Sequence, residues 1–273
     1  MRNGIHFISG LPRAGSTLLA ALLRQNPRFS AGMTSPVGSL FNAMAAAMSQ
    51  RNEGSVFIDE AQRIRLLRAC FEAYYADIHP TQLVFDTNRQ WTTKLTALAS
   101  LFPGSRVICC VRNPAWVVDS IERLIRRNAF EPSGIFNYDP GGTVYSRVEG
   151  LSKGDGMVGF AWNALREAVF GAQAERLLLV RYETLTANPM LVLNTIYEAI
   201  NEAPFAHDPT HIEPAYDMID FDIRLGTPGL HHVRSVVRAE TRSTILPPDL
   251  FERFDRDAFW NDPARMPGSV RVV

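Results

Sequence analysis

Ile5-His6-Phe7-Ile8-Ser9-Gly10-Leu11-Pro12-Arg13-Ala14-Gly15-Ser16-Thr17-Leu18-Leu19-Ala20-Ala21 is the stretch on which the fold turns. Its apolar start reads as a buried strand, its Gly- and Pro-bearing middle as a tight loop, and its end as the first turn of a helix. Such a loop aims successive backbone N–H groups and a helix N-terminus at one point, which makes a cradle for a phosphate-like anion. The cation inside it is Arg13, ahead of the Gly15-Ser16-Thr17 turn. A nucleotide-hydrolysing loop of the G-x-x-x-x-G-K-[ST] type carries Lys directly after its second Gly. No Lys stands there, so the expected ligand shifts away from that class.

Outward from this loop, short apolar runs at residues 5–9, 83–86, 106–111 and 177–180 alternate with helix-length segments. Strands separated in this way predict an α/β, P-loop-like three-layer fold: a central, mainly parallel sheet flanked by helices. Helices are expected at residues 16–25, 115–126, 162–173 and 190–200. A further long one begins after the capping Asp59, with Ala61, Ile64, Leu67, Phe71, Tyr74 and Ile78 in one stripe. In open α/β sheets ligands bind beyond the carboxyl ends of the strands. Three such ends carry Arg13, residues 86–88 and Arg112, so the motifs are expected to converge on one crevice.

The balance of 28 Lys plus Arg against 28 Asp plus Glu gives no global field that would favour nucleic acid or an anionic membrane, so any basic site must be local. A 46% hydrophobic chain of 273 residues can bury an ordinary core, and the whole is read as one domain. Residues 1–203 are expected to form its core and residues 204–273 an extension that packs on the core and closes the site. Cys109 and Cys110 are adjacent in an expected strand and point to opposite faces, which with Cys70 alone remaining makes no disulfide framework and favours a reducing compartment. No apolar run approaches the roughly 20 residues that span a bilayer, so no membrane insertion is expected.

Residues 12–19, Pro12-Arg13-Ala14-Gly15-Ser16-Thr17-Leu18-Leu19, resemble the 5′-phosphosulfate loop of sulfotransferases that use PAPS (3′-phosphoadenosine 5′-phosphosulfate) as donor. The run from Arg106 through Val111-Arg112-Asn113-Pro114 to Ser120 is similar to the family's strand and helix for the donor's 3′-phosphate. Leu179-Val180-Arg181-Tyr182-Glu183, with Asn188-Pro189 following, is similar to its late strand and helix. The resemblance implies a soluble, bacterial-like member, cytoplasmic, without the membrane anchor of the family's Golgi branch. It implies that the core at residues 1–203 is nucleotide-binding, with PAPS as co-substrate, PAP as product and no metal. Arg13 with Ala14, Gly15, Ser16 and Thr17 would hold the 5′-phosphosulfate, Arg13 also offsetting charge on the bridging oxygen, and Arg112 with Ser120 the 3′-phosphate. Tyr182 would approach the adenine, with a core tyrosine as the competing reading; His231 and Arg234 would complete the 3′-phosphate site.

Sulfuryl transfer to a hydroxyl or amine also needs a proton acceptor. In cytosolic relatives a His follows the second main strand; here the aligned position is Asn88, whose amide takes no proton. Asp86 is the leading candidate, because a carboxylate at a buried strand end can have its pKa raised; orienting Arg89 or capping the next helix are its other readings. Residues 128–157, rich in Gly and without sustained period, are read as an acceptor-side cover lined by Phe130, Ile135, Phe136 and Tyr138, against a solvated surface loop. The acceptor is expected to be a small molecule, glycan or lipid. Two other classes stay open: an ATP-dependent phosphotransferase, and a non-catalytic nucleotide-binding protein of the same fold.

Overall fold

The computed structural model describes residues 4–130, 142–214 and 217–273. Among these, six strands form a single sheet in the order β2-β3-β1-β4-β5-β6, with β1 (Ile5–Gly10), β2 (Phe29–Ala31), β3 (Leu83–Thr87), β4 (Val107–Val111), β5 (Leu177–Arg181) and β6 (Arg271–Val272). Every pairing is parallel. Helices α1 (Ser16–Leu23), α2 (Val37–Ala47), α3 (Glu60–Tyr74), α4 (Leu95–Leu101), α5 (Pro114–Arg127), α6 (Val144–Ser152), α7 (Met157–Val169), α8 (Tyr182–Ala187) and α9 (Pro189–Ile200) surround it. The last segment adds α10 (Asp217–Arg224) and α11 (Pro248–Asp255). The expected α/β class and parallel sheet are observed.

Strands β1, β3, β4 and β5 are almost wholly buried because helices cover both sheet faces, which is why they read as continuous apolar runs. On one face the Phe7 ring meets Phe71 of α3 at 5.9 Å, Trp91 at 5.2 Å and Phe102 at 6.0 Å. On the other, Phe29 lies 5.0 Å from Phe85 and 5.4 Å from Tyr197 of α9. One hydrophobic cluster runs from Ile5 to Val273. No helix among the described residues is long and apolar enough to cross a membrane.

Local chemistry explains several boundaries. Asp59 and Gln62 close a reciprocal capping box at the start of α3, as the sequence predicts for Asp59. Pro114 occupies the first turn of α5, where its missing N–H costs nothing, and Asn113 caps it by accepting from the Ala115 amide. The expected irregular stretch at 128–157 is corrected in its second half. There Thr143 and Ser146 form a capping box that starts α6, and α7 begins at Met157 rather than at 162. Ile135, Phe136 and Tyr138 lie outside the described residues, and Phe130 is fully exposed and does not line the crevice.

Trp91 ties the aromatic layer to the sheet, its indole N–H donating to Asp86 Oδ1 at 2.7 Å in a site with no solvent exposure. Trp91→Phe keeps an aromatic ring in the layer but leaves a small void and a buried carboxylate oxygen short of one donor. The expected loss is about 1–3 kcal/mol, the usual cost of an unmade buried hydrogen bond, read from urea denaturation followed by circular dichroism.

Candidate active site

Strand order places the site. From β1 the chain runs to β2 and β3 on one side, then crosses to β4 on the other side of β1. The loops leaving β1 and β4 therefore diverge and open a crevice between their carboxyl ends, the usual ligand position in such sheets. Gly10 ends β1 at φ 108°, and a Cβ there would lie 2.2 Å from the Cys110 carbonyl oxygen. Only glycine lets the two strands stay paired up to the mouth of the crevice. The cavity measures about 720 Å³.

The loop after β1 turns through Arg13 at φ 58° and Gly15 at φ 98°, two left-handed residues in close succession. Gly15 caps α1 with no side-chain bond, so the first amides of that helix face the crevice without an intrahelical acceptor. Ala14 is fully buried, while Gly15, Ser16 and Thr17 line the cavity. The Tyr182 ring packs beneath the turn, 3.1 Å from where a Gly15 Cβ would stand.

Arg13 Nε donates to Ser120 Oγ at 3.2 Å, and its Nη1 donates to the Leu230 carbonyl. Arg112 Nη1 donates to the Arg13 carbonyl at 3.3 Å, and its guanidinium lies 4.1 Å over the Tyr182 ring. Burial, with the neighbouring Arg112 charge, pushes Arg13 down to about 10, so it is still a cation at neutral pH. Burial also pushes Arg112 and Arg242 downward. Arg112 Nε and Arg242 Nε are buried without a hydrogen-bond partner. Charged donors left unmet in this way are costly, and an anion would satisfy them.

Arg242 was not singled out in the sequence. It reaches the site because Asp119, fully buried on α5, gathers the C-terminal segment: it accepts from Arg123 at 2.8 Å, the Ile245 amide at 2.8 Å and the Thr244 hydroxyl at 3.0 Å, and lies 2.9 Å from Arg242 Nη2. The next residue on the helix is Ser120. No local pattern marks Arg242, since its partner is 123 positions away.

Of the expected site residues, Arg13, Gly15, Ser16, Thr17, Arg112, Ser120, Tyr182, His231 and Arg234 share one cavity. Arg234 is exposed and pairs with Glu240, and the His231 ring turns its Nδ1 to Asp222. Asp86 is not brought to the crevice. It is fully buried and accepts from Ser35 Oγ at 2.7 Å, from the Tyr75 hydroxyl and from Trp91. Burial does raise its pKa, against those hydrogen bonds, but its oxygens are spent on binding α2's approach, α3 and the 89–94 turn to the sheet. Asn88 is used structurally too, capping that turn through the Gln90 amide and donating to the Ser35 carbonyl.

The sulfotransferase family model matches residues 6–206. The chain belongs to the sulfotransferase family. It is 26% identical to protein-tyrosine sulfotransferase 1 of Danio rerio over 205 residues, 71% of this chain and 52% of that protein, so it spans about half that relative's length. In fold it is similar to sulfotransferase STF9 of Mycobacterium avium (TM-score 0.52, 14% identity, 96% of this chain and 78% of that one). It is likewise similar to a sulfotransferase of Alicyclobacillus acidocaldarius (TM-score 0.51, 14% identity, 81% and 90%). Family membership supports sulfuryl transfer as the general chemistry.

Asp119→Asn in this sulfotransferase removes the charge that holds Arg123 and Arg242. The expected destabilisation is about 1–3 kcal/mol, below the 3–5 typical of a fully buried pair because both arginines are partly exposed. Although burial opposes it, the hydrogen bonds from Arg123, Ile245 and Thr244 and the Arg242 charge hold the Asp119 carboxyl below its usual range. A depressed carboxylate stabilises above the ordinary aspartate pKa and loses that contribution as pH falls through its folded value. Urea denaturation from pH 7 downward should therefore show the wild type converging on Asp119→Asn in acid.

Proposed function

We propose that this sulfotransferase moves the sulfuryl group of PAPS to a hydroxyl or amine by in-line displacement that needs no metal. One observation supports this reading above the others: Arg112 and Arg242 hold unpartnered buried guanidinium nitrogens near Ser120, which is itself bonded to the Arg13 of the helix cradle. Two anion-seeking groups in one crevice match a nucleotide with phosphates at both ends of its ribose. The α1 amides with Ser16 and Thr17 would take the 5′-phosphosulfate, and Arg112, Ser120 and Arg242 the 3′-phosphate. Tyr182 would keep Arg112 in place through its ring face rather than offering that face to the adenine. His231 and Arg234 are set aside as 3′-phosphate ligands, His231 because Asp222 takes its Nδ1 and Arg234 because it is exposed and paired with Glu240; Arg242, though beside Asp119, keeps a buried Nε without a partner.

When the S–O bond to the donor breaks, negative charge grows on the bridging oxygen. A fixed guanidinium stabilises that charge without reorganising, and Arg13 would do so as a permanent cation that gives up no proton. A cavity of about 720 Å³ falls within the range of nucleotide and small-ligand sites, which favours an acceptor group presented on a small molecule, glycan or lipid.

Calorimetric titration with PAP in the presence of EDTA is expected to show saturable binding, and ATP with Mg²⁺ to show none. Arg112→Ala should weaken PAP by about 10-fold or more, the value of a charged hydrogen bond. Arg13→Ala should cut turnover of PAPS by about 10²–10³-fold while the protein still folds cooperatively, as read by circular dichroism. Absence of PAP binding, or preference for ATP with Mg²⁺, overturns the reading.

A further inference from the structure

The acceptor's proton must go somewhere, and the two positions that sequence reasoning considers for it do not serve. Asn88 has an amide, and Asp86 is sealed beneath α3 and the 89–94 turn. Another pair is better placed. Asp222 of α10, 3% exposed, clamps His231 twice: Oδ1 lies 2.6 Å from the imidazole Nδ1 and Oδ2 accepts the His231 backbone N–H at 2.8 Å. The Asp222 carbonyl also accepts the Thr227 amide at 2.9 Å, so the turn between helix and histidine is fixed as well.

The clamp decides which imidazole nitrogen is basic. An ionised carboxylate only accepts, so Nδ1 carries the hydrogen and the neutral ring keeps its lone pair on Nε2. Nε2 has no hydrogen-bond partner among the described residues, and His231 lines the crevice. Its neighbour Leu230 accepts from Arg13, so the imidazole sits one residue from the group proposed to meet the leaving oxygen. Phe221 closes one side of the ring at 5.6 Å between centroids. Among the other crevice groups Glu240 is taken by Arg234 and Arg238, while His232 and Asp155 are exposed, and neither makes a side-chain hydrogen bond among the described residues.

We propose that His231, oriented by Asp222, accepts the proton of the sulfuryl acceptor, an inference that rests on the PAPS reading above. The acceptor O–H or N–H bond breaks as its proton passes to Nε2, and the freed electron pair forms the bond to sulfur. The bond from sulfur to the 5′-phosphate oxygen breaks, its electron pair leaving with PAP beside Arg13. The imidazolium then faces the Asp222 carboxylate until it returns the proton to water. Asp222 is a positioning residue, since it acts only through the ring. A histidine held by a carboxylate in the correct tautomer is a recurrent device for proton removal, here on a segment distant in sequence from the cradle.

The test measures PAP affinity by calorimetry and [³⁵S]sulfuryl transfer from PAPS to a panel of 4-nitrophenol, tyramine, glucosamine and water. His231→Gln should bind PAP within twofold of wild type and lose about 10²–10⁴-fold in kcat, the usual span for a general base. Imidazole added to His231→Ala should restore part of the rate, and Asp222→Asn should lower kcat at least 10-fold with donor KM little changed. Near-wild-type kcat in His231→Gln overturns the proposal, as does loss of PAP affinity in step with turnover, which would make His231 a phosphate ligand. Loss that follows Asp155→Asn while His231→Gln stays active overturns it as well. A wild-type protein that binds PAP yet consumes PAPS with no member of the panel counts against the dyad, whereas failure of wild type to bind PAP sinks the donor reading instead.

Discussion

Three guanidinium groups held in one crevice with too few acceptors form the constraint around which this molecule is arranged. Burial lowers the proton affinity of Arg13, Arg112 and Arg242; the Arg112 and Arg242 charges lower Arg13 further, and the Arg242 charge lowers Arg112. Left to itself such a cluster would spread apart or hydrate. It stays together because each head is tied from a different direction: Ser120 and the Leu230 carbonyl for Arg13, the Tyr182 ring and the Arg13 carbonyl for Arg112, and Asp119 with the Trp116 ring for Arg242. The unmet donors that remain are a cost to the folded state which a bound dianion would recover.

The buried carboxylates divide the supporting work. Asp86 joins α3 and the 89–94 turn to β3, a purely architectural task in spite of its place at a strand end. Asp119 holds residues 242–245 against α5 and so delivers Arg242. Asp222 fixes the main chain and ring of His231. All three are at most 3% exposed, yet they differ in their donors. Asp86 receives only neutral hydroxyl and indole hydrogens and is pushed upward, whereas Asp119 has arginines and is pulled downward. Burial alone is therefore a poor guide to which carboxylate does chemistry; the neighbours decide.

A neutral chain with a basic crevice also has a functional logic. With 28 positive and 28 negative residues there is no long-range attraction for polyanions. Binding strength must come from short contacts inside a cavity, which suits a small, doubly phosphorylated ligand better than a nucleic acid.

The sheet and the cradle were legible in the sequence because their signals are local. An apolar run followed by Gly10 and the Gly15-Ser16-Thr17 turn can fold only as strand, loop and helix, and Pro114 after Asn113 marks the start of α5. The strand pairing of β2 and β6, of three and two residues, leaves no periodicity to read, and the Thr143 cap was hidden among glycines. Asp86 looked available because sequence does not show that Tyr75 and Trp91 close over it. Residues 5–21 and 106–120 by themselves determined the class of fold and brought Arg13, Arg112 and Ser120 forward as site candidates, since backbone conformation and spacing are set within a few residues; that Ser120 bonds Arg13 rather than Arg112 is a tertiary contact. Which carboxylate is sealed, which arginine joins the cluster and which crevice histidine a carboxylate holds were decided only by the tertiary structure, because those properties belong to contacts between separate elements of the fold.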